Sequence, residues 1–273
     1  MHYLSTRNNQ LNESFLNILF KGLSKDRGLF LPSEWPTISL QNLKKKSYEE
    51  VAHSIIYPYV KDDISDSDLQ LILNATYKNF NHKKIAPLIN VDQNKYILEL
   101  FYGPTFAFKD YALQFLGNLF SYLLKDKKKK ITVLGATSGD TGSAAINAFK
   151  GKEDIDVFIL HPHNKVSEVQ RRQMTTVTEN NIHNFAIQGT FDDCQRIVKE
   201  LFVDEEIQSK TSLTAVNSIN WIRIIAQTVY YFWAFVQLNE EKVNFIVPSG
   251  NFGNIFSARV AKYMGLPINE LHI

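Results

Sequence analysis

The stretch "KITVLGATSGDTGSAAINAFKG", residues 130–151, decides the fold of this chain. It begins with an apolar, β-branched run, which is typical of a strand buried in a parallel sheet. It ends with a helical pattern that stops at Gly151, and a glycine-rich turn joins the two parts. A strand that passes through such a turn directly into a helix is the repeating unit of a parallel α/β sheet.

The neighbouring segments repeat this order. Strand-like runs alternate with helical patterns, and the runs are "KYILEL" (95–100), "DVFIL", "NFAIQ" and "VNFIVP" (243–248). We therefore predict an α/β fold with mostly parallel sheets and helices on both faces. We predict a mainly helical N-terminal region at 1–92, in which Ser47 and Glu50 form a helix cap. The α/β region then covers 93–273, with a smaller lobe at about 105–190.

Composition is that of an ordinary soluble globular protein. The chain has 273 residues, of which 44% are apolar, and its formal net charge of +2 makes no case for a nucleic-acid or membrane partner. The basic runs at 42–47 and 125–130 are interpreted as solvated turns. The single cysteine, Cys194, excludes an intrachain disulfide and a thiolate zinc cluster.

Two segments bear on the location of the protein. The first ten residues, "MHYLSTRNNQ", lack the apolar core of a secretory signal. The apolar segment 221–238 contains Arg223 and Gln227, so we predict a buried core helix rather than a membrane span. We expect a cytoplasmic protein.

The glycine-rich turn after "ITVL" is a candidate site for a small carboxylate. Its glycines at 135, 139 and 142 do not fit the G-x-G-x-x-G dinucleotide pattern. The hydroxyls of Thr137, Ser138 and Thr141, together with amides at the start of the following helix, would suit a carboxylate. The alternative is that these residues and Asp140 only cap the helix.

A second glycine-rich turn, "VPSGNFGN" (247–254), follows another predicted strand. Gly250 and Gly253 would let the backbone approach a ligand, and the helix start behind them favours an anion. No Gly-Lys-Ser/Thr follows, so the turn is not a Walker A motif, and it would hold a phosphate through backbone amides. The alternative is a tight strand-to-helix turn without a ligand.

Lys109 lies in "FYGPTFAFKDY" (101–111), an unusually aromatic stretch. Such a lysine is most often a surface residue whose stem lies along apolar groups. If it is desolvated instead, its pKa falls and its amine can form a Schiff base. A reactive lysine, a phosphate turn and a carboxylate turn together match what a pyridoxal phosphate enzyme needs. Together with the family resemblance described below, this leads us to interpret the surrounding aromatic residues as walls that keep Lys109 neutral.

No metal site or other catalytic motif competes with this interpretation. His161 and His163 in "LHPHN" have a spacing that could suit a metal pair, but no third ligand lies near them in the sequence. The chain also has no Gly-x-Ser-x-Gly motif.

Several blocks of the chain resemble threonine synthase, a family of pyridoxal phosphate (PLP) enzymes. They occur in the order in which that family carries them: "GLFLP", "ELFYGPTFAFKD", "LGATSGDTGSAA", "KVSEVQRRQM", "VNSINWIRI" and "VPSGNFGN". The resemblance implies the tryptophan-synthase-β type of PLP fold (fold type II). It also implies conversion of O-phospho-L-homoserine and water into L-threonine and phosphate, by γ-elimination of phosphate and β-addition of water through a Schiff base of Lys109.

The resemblance also implies roles for other residues. The cofactor phosphate is expected at Gly250, Asn251, Phe252, Gly253 and Asn254. The substrate carboxylate and cofactor ring are expected at Thr137, Ser138, Gly139, Asp140 and Thr141. Candidates for the substrate phosphate are Asn217, Ser218, Asn220 and Arg223, although Arg223 could equally be a structural ion-pair partner.

Three further expectations concern the whole protein. The family's chains are longer, so this one is expected to lack their C-terminal part. The protein is expected to be a monomer or homodimer that acts on a small molecule. The alternatives are a related PLP-dependent phospholyase or dehydratase, and a non-catalytic truncated homologue.

Overall fold

The computed structural model describes residues 1–125, 129–216 and 220–273. The helices, in chain order, are α1 (Phe15–Lys21), α2 (Tyr48–Val60), α3 (Asp66–Tyr77), α4 (Lys109–Leu124), α5 (Asp140–Phe149), α6 (Glu168–Thr175), α7 (Phe191–Val203), α8 (Glu205–Lys210), α9 (Trp221–Val236) and α10 (Gly253–Tyr263). The strands are β1 (Tyr3–Ser5), β2 (Asn8–Glu13), β3 (Phe30–Pro32), β4 (Leu88–Asp92), β5 (Lys95–Leu98), β6 (Ile131–Ala136), β7 (Ile155–Pro162), β8 (Ile182–Ile187), β9 (Leu213–Ala215), β10 (Val243–Ile246) and β11 (Ile268–His272).

A parallel sheet in the order β8-β7-β6-β9 supports the centre of the chain. Alternate residues of each strand point to opposite faces. Val133 and Val157 pack into the main core, whereas Leu134 and Leu160 pack with Cys194 of α7 on the other face. The predicted α/β fold, with helices on both faces of a parallel sheet, is therefore confirmed.

Helix α9 runs through the main core. It begins after Asn220, whose side chain accepts a hydrogen bond from the amide of Ile222, and every residue from Trp221 to Phe235 is buried. The prediction of a buried core helix in this segment is confirmed. Within the described ranges, no helix combines the length and apolar character needed to cross a membrane.

The N-terminal region contains the predicted helices and also a small sheet. Ser47 and Glu50 form the predicted capping box at the start of α2. The antiparallel sheet β2-β1-β3 was not predicted. Its outer strands are short or polar, since β3 has three residues and β2 reads "NNQLNE", so neither shows an alternating apolar pattern.

Three other details differ from the sequence-based expectation. The strand predicted at 95–100 is β5, which pairs antiparallel with β4 in a hairpin outside the main parallel sheet. The short elements α8 and β9 were not predicted. Strands β10 and β11 form a separate parallel pair. The predicted division of the chain at residue 92 falls within the β4–β5 hairpin and stays a prediction. The smaller lobe at about 105–190 also stays a prediction.

Candidate active site

Lys109 is the first residue of α4, and the loop before it is wound around the carboxylate of Asp110. Asp110 is fully buried and accepts hydrogen bonds from the amide of Thr105 at 2.8 Å and from its hydroxyl at 2.7 Å. Burial raises the pKa of Asp110, and the hydrogen bonds from Thr105 oppose this rise. These bonds fix the loop and therefore the point at which the Lys109 side chain leaves the helix.

The amine of Lys109 lies 3.2 Å from Oδ2 of Asp140, and the lysine side chain is 22% exposed. Its pKa is lowered mainly by burial. The carboxylate of Asp140 opposes this shift, while the positive charge of Arg223 adds to it. The structure thus agrees with a desolvated lysine rather than a surface lysine.

The aromatic residues around Lys109 do not enclose it as the sequence suggested. The ring of Phe108 lies 5.2 Å from Nζ. By contrast, Phe101 and Phe106 are exposed, and Tyr111 is buried in the main core. The interpretation of this stretch as an aromatic wall is therefore wrong for most of its members, because successive positions of a tight loop and helix start point in different directions.

The turn at residues 137–141, here called the Asp140 turn, is held together internally. The hydroxyl of Thr137 accepts hydrogen bonds from the amides of Gly139 at 3.0 Å and Gly142 at 2.8 Å. Gly139 has φ 147°, and a Cβ at this position would lie 2.1 Å from Oε1 of Gln170. Ser138 is exposed, and Thr141 is partly buried. The structure thus uses Thr137 within the turn, and ligand contacts of these residues stay predictions.

Helix α6 contacts the Asp140 turn through a residue that the sequence analysis did not identify. Gln170 donates a hydrogen bond from Nε2 to Oδ1 of Asp140. Its own Oε1 accepts a hydrogen bond from the hydroxyl of Ser167 at 2.9 Å. Both oxygens of Asp140 are thereby engaged, one by Gln170 and the other by Lys109. Gln170 fixes the carboxylate in the position where it meets the amine.

Arg223, in the first turn of α9, is a buried cation. It is 2% exposed, and burial lowers its pKa to about 10. Nη1 donates to the carbonyl of Val216 at 2.7 Å, but Nε is buried without a partner among the described residues. A buried guanidinium with an unmade hydrogen bond is costly unless an anion completes it. Arg223 is therefore a buried cation with an unmade hydrogen bond, and its positive charge acts on Lys109.

The other candidates for the substrate phosphate differ from Arg223. Asn220 is fully buried, and its side chain binds backbone atoms: Oδ1 accepts from the amide of Ile222 at 3.0 Å, and Nδ2 donates to the carbonyl of Ala215 at 3.4 Å. Asn220 therefore acts as a helix cap in this structure. Asn217 and Ser218 lie outside the described residues.

The turn at residues 250–254, here called the Gly250 turn, leads from β10 into α10. Phe252 occupies the left-handed region with φ 57° and is 54% exposed. A Cβ added at Gly250 would meet no atom within 4 Å. The first amides of α10 have no intrahelical acceptors, and the helix dipole favours an anion in front of them. This open turn has the form of a phosphate cradle.

Helix α9 connects the Gly250 turn with α4. Tyr231 donates to the carbonyl of Asn254 at 3.0 Å and to Oδ1 of Asn254 at 2.7 Å, and Tyr230 also donates to this Oδ1. The ring of Tyr230 lies 5.9 Å from that of Tyr111, two residues after Lys109. Helix α4, which begins at Lys109, and the Gly250 turn are thus joined through the contact between Tyr111 and Tyr230.

The two histidines bond to different side chains through Nδ1. Nδ1 of His161 lies 3.1 Å from Oδ1 of Asn184, and Nδ1 of His163 lies 3.3 Å from Nε2 of Gln188. In the part of the chain that the structure describes, no group of three or more metal-ligating side chains is present.

Sequence reasoning missed Asp110, Gln170, Tyr230 and Tyr231 as supporting residues of this site. For Gln170 a signal was present, because it lies inside "KVSEVQRRQM", one of the blocks that resemble threonine synthase. The two tyrosines lie in an apolar helix, and nothing in their local pattern distinguishes them from core residues.

Known families match both parts of the chain. The family described as "Threonine synthase N terminus" matches residues 2–77, and the family described as "Pyridoxal-phosphate dependent enzyme" matches residues 83–263. The chain therefore belongs to the pyridoxal-phosphate-dependent enzyme family. Its resemblance to threonine synthase, in particular, is confirmed by the relatives and structures described next.

Individual relatives are threonine synthases. The chain is 48% identical to threonine synthase from Pseudomonas aeruginosa over 99% of its length, and 46% identical to that from Saccharomyces cerevisiae, also over 99%. It spans 59% and 57% of the lengths of these relatives. The crystal structure of PLP-bound threonine synthase from Brucella melitensis superimposes with a TM-score of 0.92 at 46% identity, covering 99% of this chain and 60% of that one.

The residues present fit pyridoxal phosphate on the geometry of the chain itself. Lys109 offers an amine whose pKa is lowered by burial. The open Gly250 turn and the unpartnered Nε of Arg223 both favour an anionic group. An aldehyde that carries a phosphate matches this set of groups.

Proposed function

We propose that this chain forms the lysine-bearing and phosphate-binding part of a PLP enzyme that converts O-phospho-L-homoserine and water into L-threonine and phosphate. The observation that carries the proposal is the partly buried amine of Lys109, held 3.2 Å from Asp140, together with the buried guanidinium of Arg223, whose Nε has no partner among the described residues. The identity of 46–48% to threonine synthases supports the choice of reaction.

The proposed roles divide among the elements of the site. Lys109 binds the cofactor and moves protons, and Gly250, Asn251, Phe252, Gly253 and Asn254 hold the cofactor phosphate. The Asp140 turn (Thr137, Ser138, Gly139, Asp140 and Thr141) faces the substrate carboxylate. Arg223 binds the substrate phosphate, with Asn217, Ser218 and Asn220 as further candidates. The Asn220 side chain, engaged as a helix cap, is the least available of these.

Proton transfer in this proposal depends on Lys109. When bound, pyridoxal phosphate supplies an electron sink for negative charge that develops beside the substrate's amino group. Burial lowers the pKa of Lys109, so its neutral amine can accept a proton at Nζ. Asp140 lies close enough to hold the resulting ammonium, and Gln170 keeps Asp140 in place. Arg223 would compensate the charge of the departing phosphate.

The remaining features of the protein are proposals of the same kind. We infer a cytoplasmic enzyme, monomeric or homodimeric, with a small-molecule substrate and no nucleic-acid or membrane partner. Its formal net charge of +2 supports this view, since a strongly basic surface would be expected of a nucleic-acid-binding protein.

The decisive experiment is to identify the lysine that reacts with pyridoxal phosphate. The chain is mixed with the cofactor, reduced with borohydride, digested and analysed by peptide mass spectrometry. We expect the adduct on Lys109 and none in Lys109→Ala. Lys152→Ala is the matched control, because burial also lowers the pKa of Lys152 but its side chain bonds to Asn118 instead. An adduct that persists in Lys109→Ala, or that is lost in Lys152→Ala, would refute the assignment.

Product analysis then tests the reaction. The chain is incubated with cofactor and O-phospho-L-homoserine, and threonine, 2-oxobutyrate and phosphate are measured. We expect threonine and phosphate in equal amounts. Formation of 2-oxobutyrate instead would favour the related phospholyase or dehydratase. A Lys109 adduct without any product would favour a chain that binds the cofactor but does not catalyse the reaction.

A further inference from the structure

A cavity of about 390 Å³ lies between the parallel sheet and helix α6. It is formed by the end of β7, one face of β8, the loop that follows β7, and one face of α6 with the residues after it. The Lys109 site contacts a different face of the same helix: Gln170 bonds to Asp140, and Gln173 donates to the carbonyl of Thr105 at 3.2 Å. The cavity is therefore separate from the site described above, with α6 between them.

Two polar side chains of the cavity wall have free hydrogen-bonding capacity. His161 is 4% exposed, and its Nδ1 lies 3.1 Å from Oδ1 of Asn184. Since this oxygen can only accept, Nδ1 donates, and Nε2 is left as an acceptor. Nδ2 of Asn184 is buried without a partner among the described residues. A buried amide N–H in this state is costly, and an acceptor that reaches it from the cavity would remove this cost.

The charge at the cavity edge is positive. Arg171 lines the cavity and binds Glu168 through Nε and Nη2, both at 2.8 Å. Glu168 also accepts from Nε of Arg172, so one carboxylate is shared between two guanidinium groups. No aspartate or glutamate is among the described residues that line the cavity. The two guanidinium groups share one carboxylate, so a singly charged anion would balance the remaining positive charge.

We propose that this cavity binds a small aliphatic carboxylate. Its carboxylate accepts hydrogen bonds from Arg171 and from Nδ2 of Asn184. Its aliphatic part packs against the apolar wall, which consists of Val166, Met174, Val177, Ile182 and Ala186. An α-amino acid fits less well, because no described lining residue is a carboxylate, and Nε2 of His161 offers the ammonium group only a neutral acceptor.

Calorimetric titration of the 273-residue chain with butyrate, butyramide and L-threonine tests this proposal. We expect saturable binding of one butyrate per chain. Butyramide and L-threonine should each bind at least about tenfold more weakly than butyrate. Butyramide loses a charged hydrogen bond, and L-threonine adds an unpaired charge. Absence of butyrate binding, or equal binding of butyramide or L-threonine, would overturn the proposal.

Two variants on α6 form a matched pair. Arg171→Met and Arg172→Met each remove one ion pair with Glu168, but only Arg171 lines the cavity. We expect Arg171→Met to weaken butyrate about tenfold or more and Arg172→Met to weaken it clearly less, because Arg172 adds positive charge through the shared Glu168 but donates no hydrogen bond to the ligand. Equal effects would show that the cavity is not the binding site.

Ala186→Leu provides an independent check without a change of charge. Ala186 is an exposed residue of β8 at the cavity wall, so a larger side chain there should block butyrate and leave folding intact. Circular dichroism verifies the fold of each variant, and the Lys109 adduct with pyridoxal phosphate should form in all of them. Butyrate binding that survives Ala186→Leu unchanged would contradict the proposal.

Discussion

The Asp140 turn and the Gly250 turn look alike in sequence but differ in the structure. Both are glycine-rich and connect a strand to a helix. The Asp140 turn is closed by bonds to Thr137 and by contact of Gly139 with Gln170, so it is formed before any ligand arrives. The Gly250 turn has open space at Gly250 and an exposed Phe252. One turn is therefore closed around its own side chains, and the other leaves open space beside its backbone.

The largest effect on stability is expected when a single methyl group is added to each turn by a glycine-to-alanine substitution. Gly139→Ala puts alanine at φ 147° and makes Cβ displace the end of the Gln170 side chain, which should lower the free energy of unfolding by about 1–3 kcal/mol, mainly through backbone strain. Gly250→Ala meets no atom within 4 Å and should change it by less than about 0.5 kcal/mol. Urea denaturation measures both. Equal losses would contradict the contrast between a closed and an open turn.

Arg223 should matter more for anion binding than for stability. In Arg223→Met an apolar side chain replaces a buried cation without a carboxylate partner among the described residues, so the free energy of unfolding should stay the same or rise. Affinity for inorganic phosphate or pyridoxal phosphate, measured by calorimetry, should fall about tenfold or more.

Arg259→Met is the control for this change, because Arg259 is an exposed cation stacked on Tyr263. It should leave phosphate affinity nearly unchanged. If Arg223→Met strongly destabilised the chain and kept its phosphate affinity, Arg223 would be a structural residue instead.

Asp140→Asn tests the link between the closed turn and the lysine. The carboxylate of Asp140 raises the pKa of Lys109 against the effect of burial, so its removal should lower that pKa further. The pKa can be followed by NMR of ¹³C-methylated lysines over a pH series. Lys152, whose pKa is lowered by burial alone, is an internal control and should not move. An unchanged or higher pKa of Lys109 would disprove the pairing.

The smallest effect should come from Tyr231→Phe. This change removes the hydroxyl that bonds to Asn254 at 3.0 Å and 2.7 Å, which should cost about 1 kcal/mol of unfolding free energy. Hydrogen exchange in the Gly250 turn should become faster, because one of its supports is lost. Tyr263→Phe, at an exposed position on α10, should have less effect on both measurements. Slower exchange in Tyr231→Phe would contradict the supporting role.

Much of the fold could be predicted from local patterns. The apolar β-branched run before the Asp140 turn became β6, and the long apolar segment with Arg223 became the buried helix α9. The capping box of Ser47 and Glu50 was visible as a spacing of three residues. The sheet β2-β1-β3 could not be predicted, because β1 and β3 have only three residues each and owe their stability to pairing.

The candidate site was only partly predictable. Lys109 and the two glycine-rich turns carry recognisable local signals, and the pKa direction expected of a desolvated lysine agrees with its burial. The exposure of Phe101 and Phe106 did not follow from composition. The support of Asn254 by Tyr230 and Tyr231 joins residues more than twenty positions apart, and no pattern within one helix reveals such a contact.

By itself, the sequence determined the alternation of strands and helices, the family, and the positions of the candidate lysine and the two glycine-rich turns. These depend on residue type and short-range spacing, which act through local backbone preference and apolar periodicity. Only the tertiary structure decided which charge meets which. Lys109 pairs with Asp140, Gln170 holds that carboxylate, and Nε of the buried Arg223 has no partner among the described residues. Such pairings depend on how distant segments pack, because burial and distance set the strength of each charge interaction.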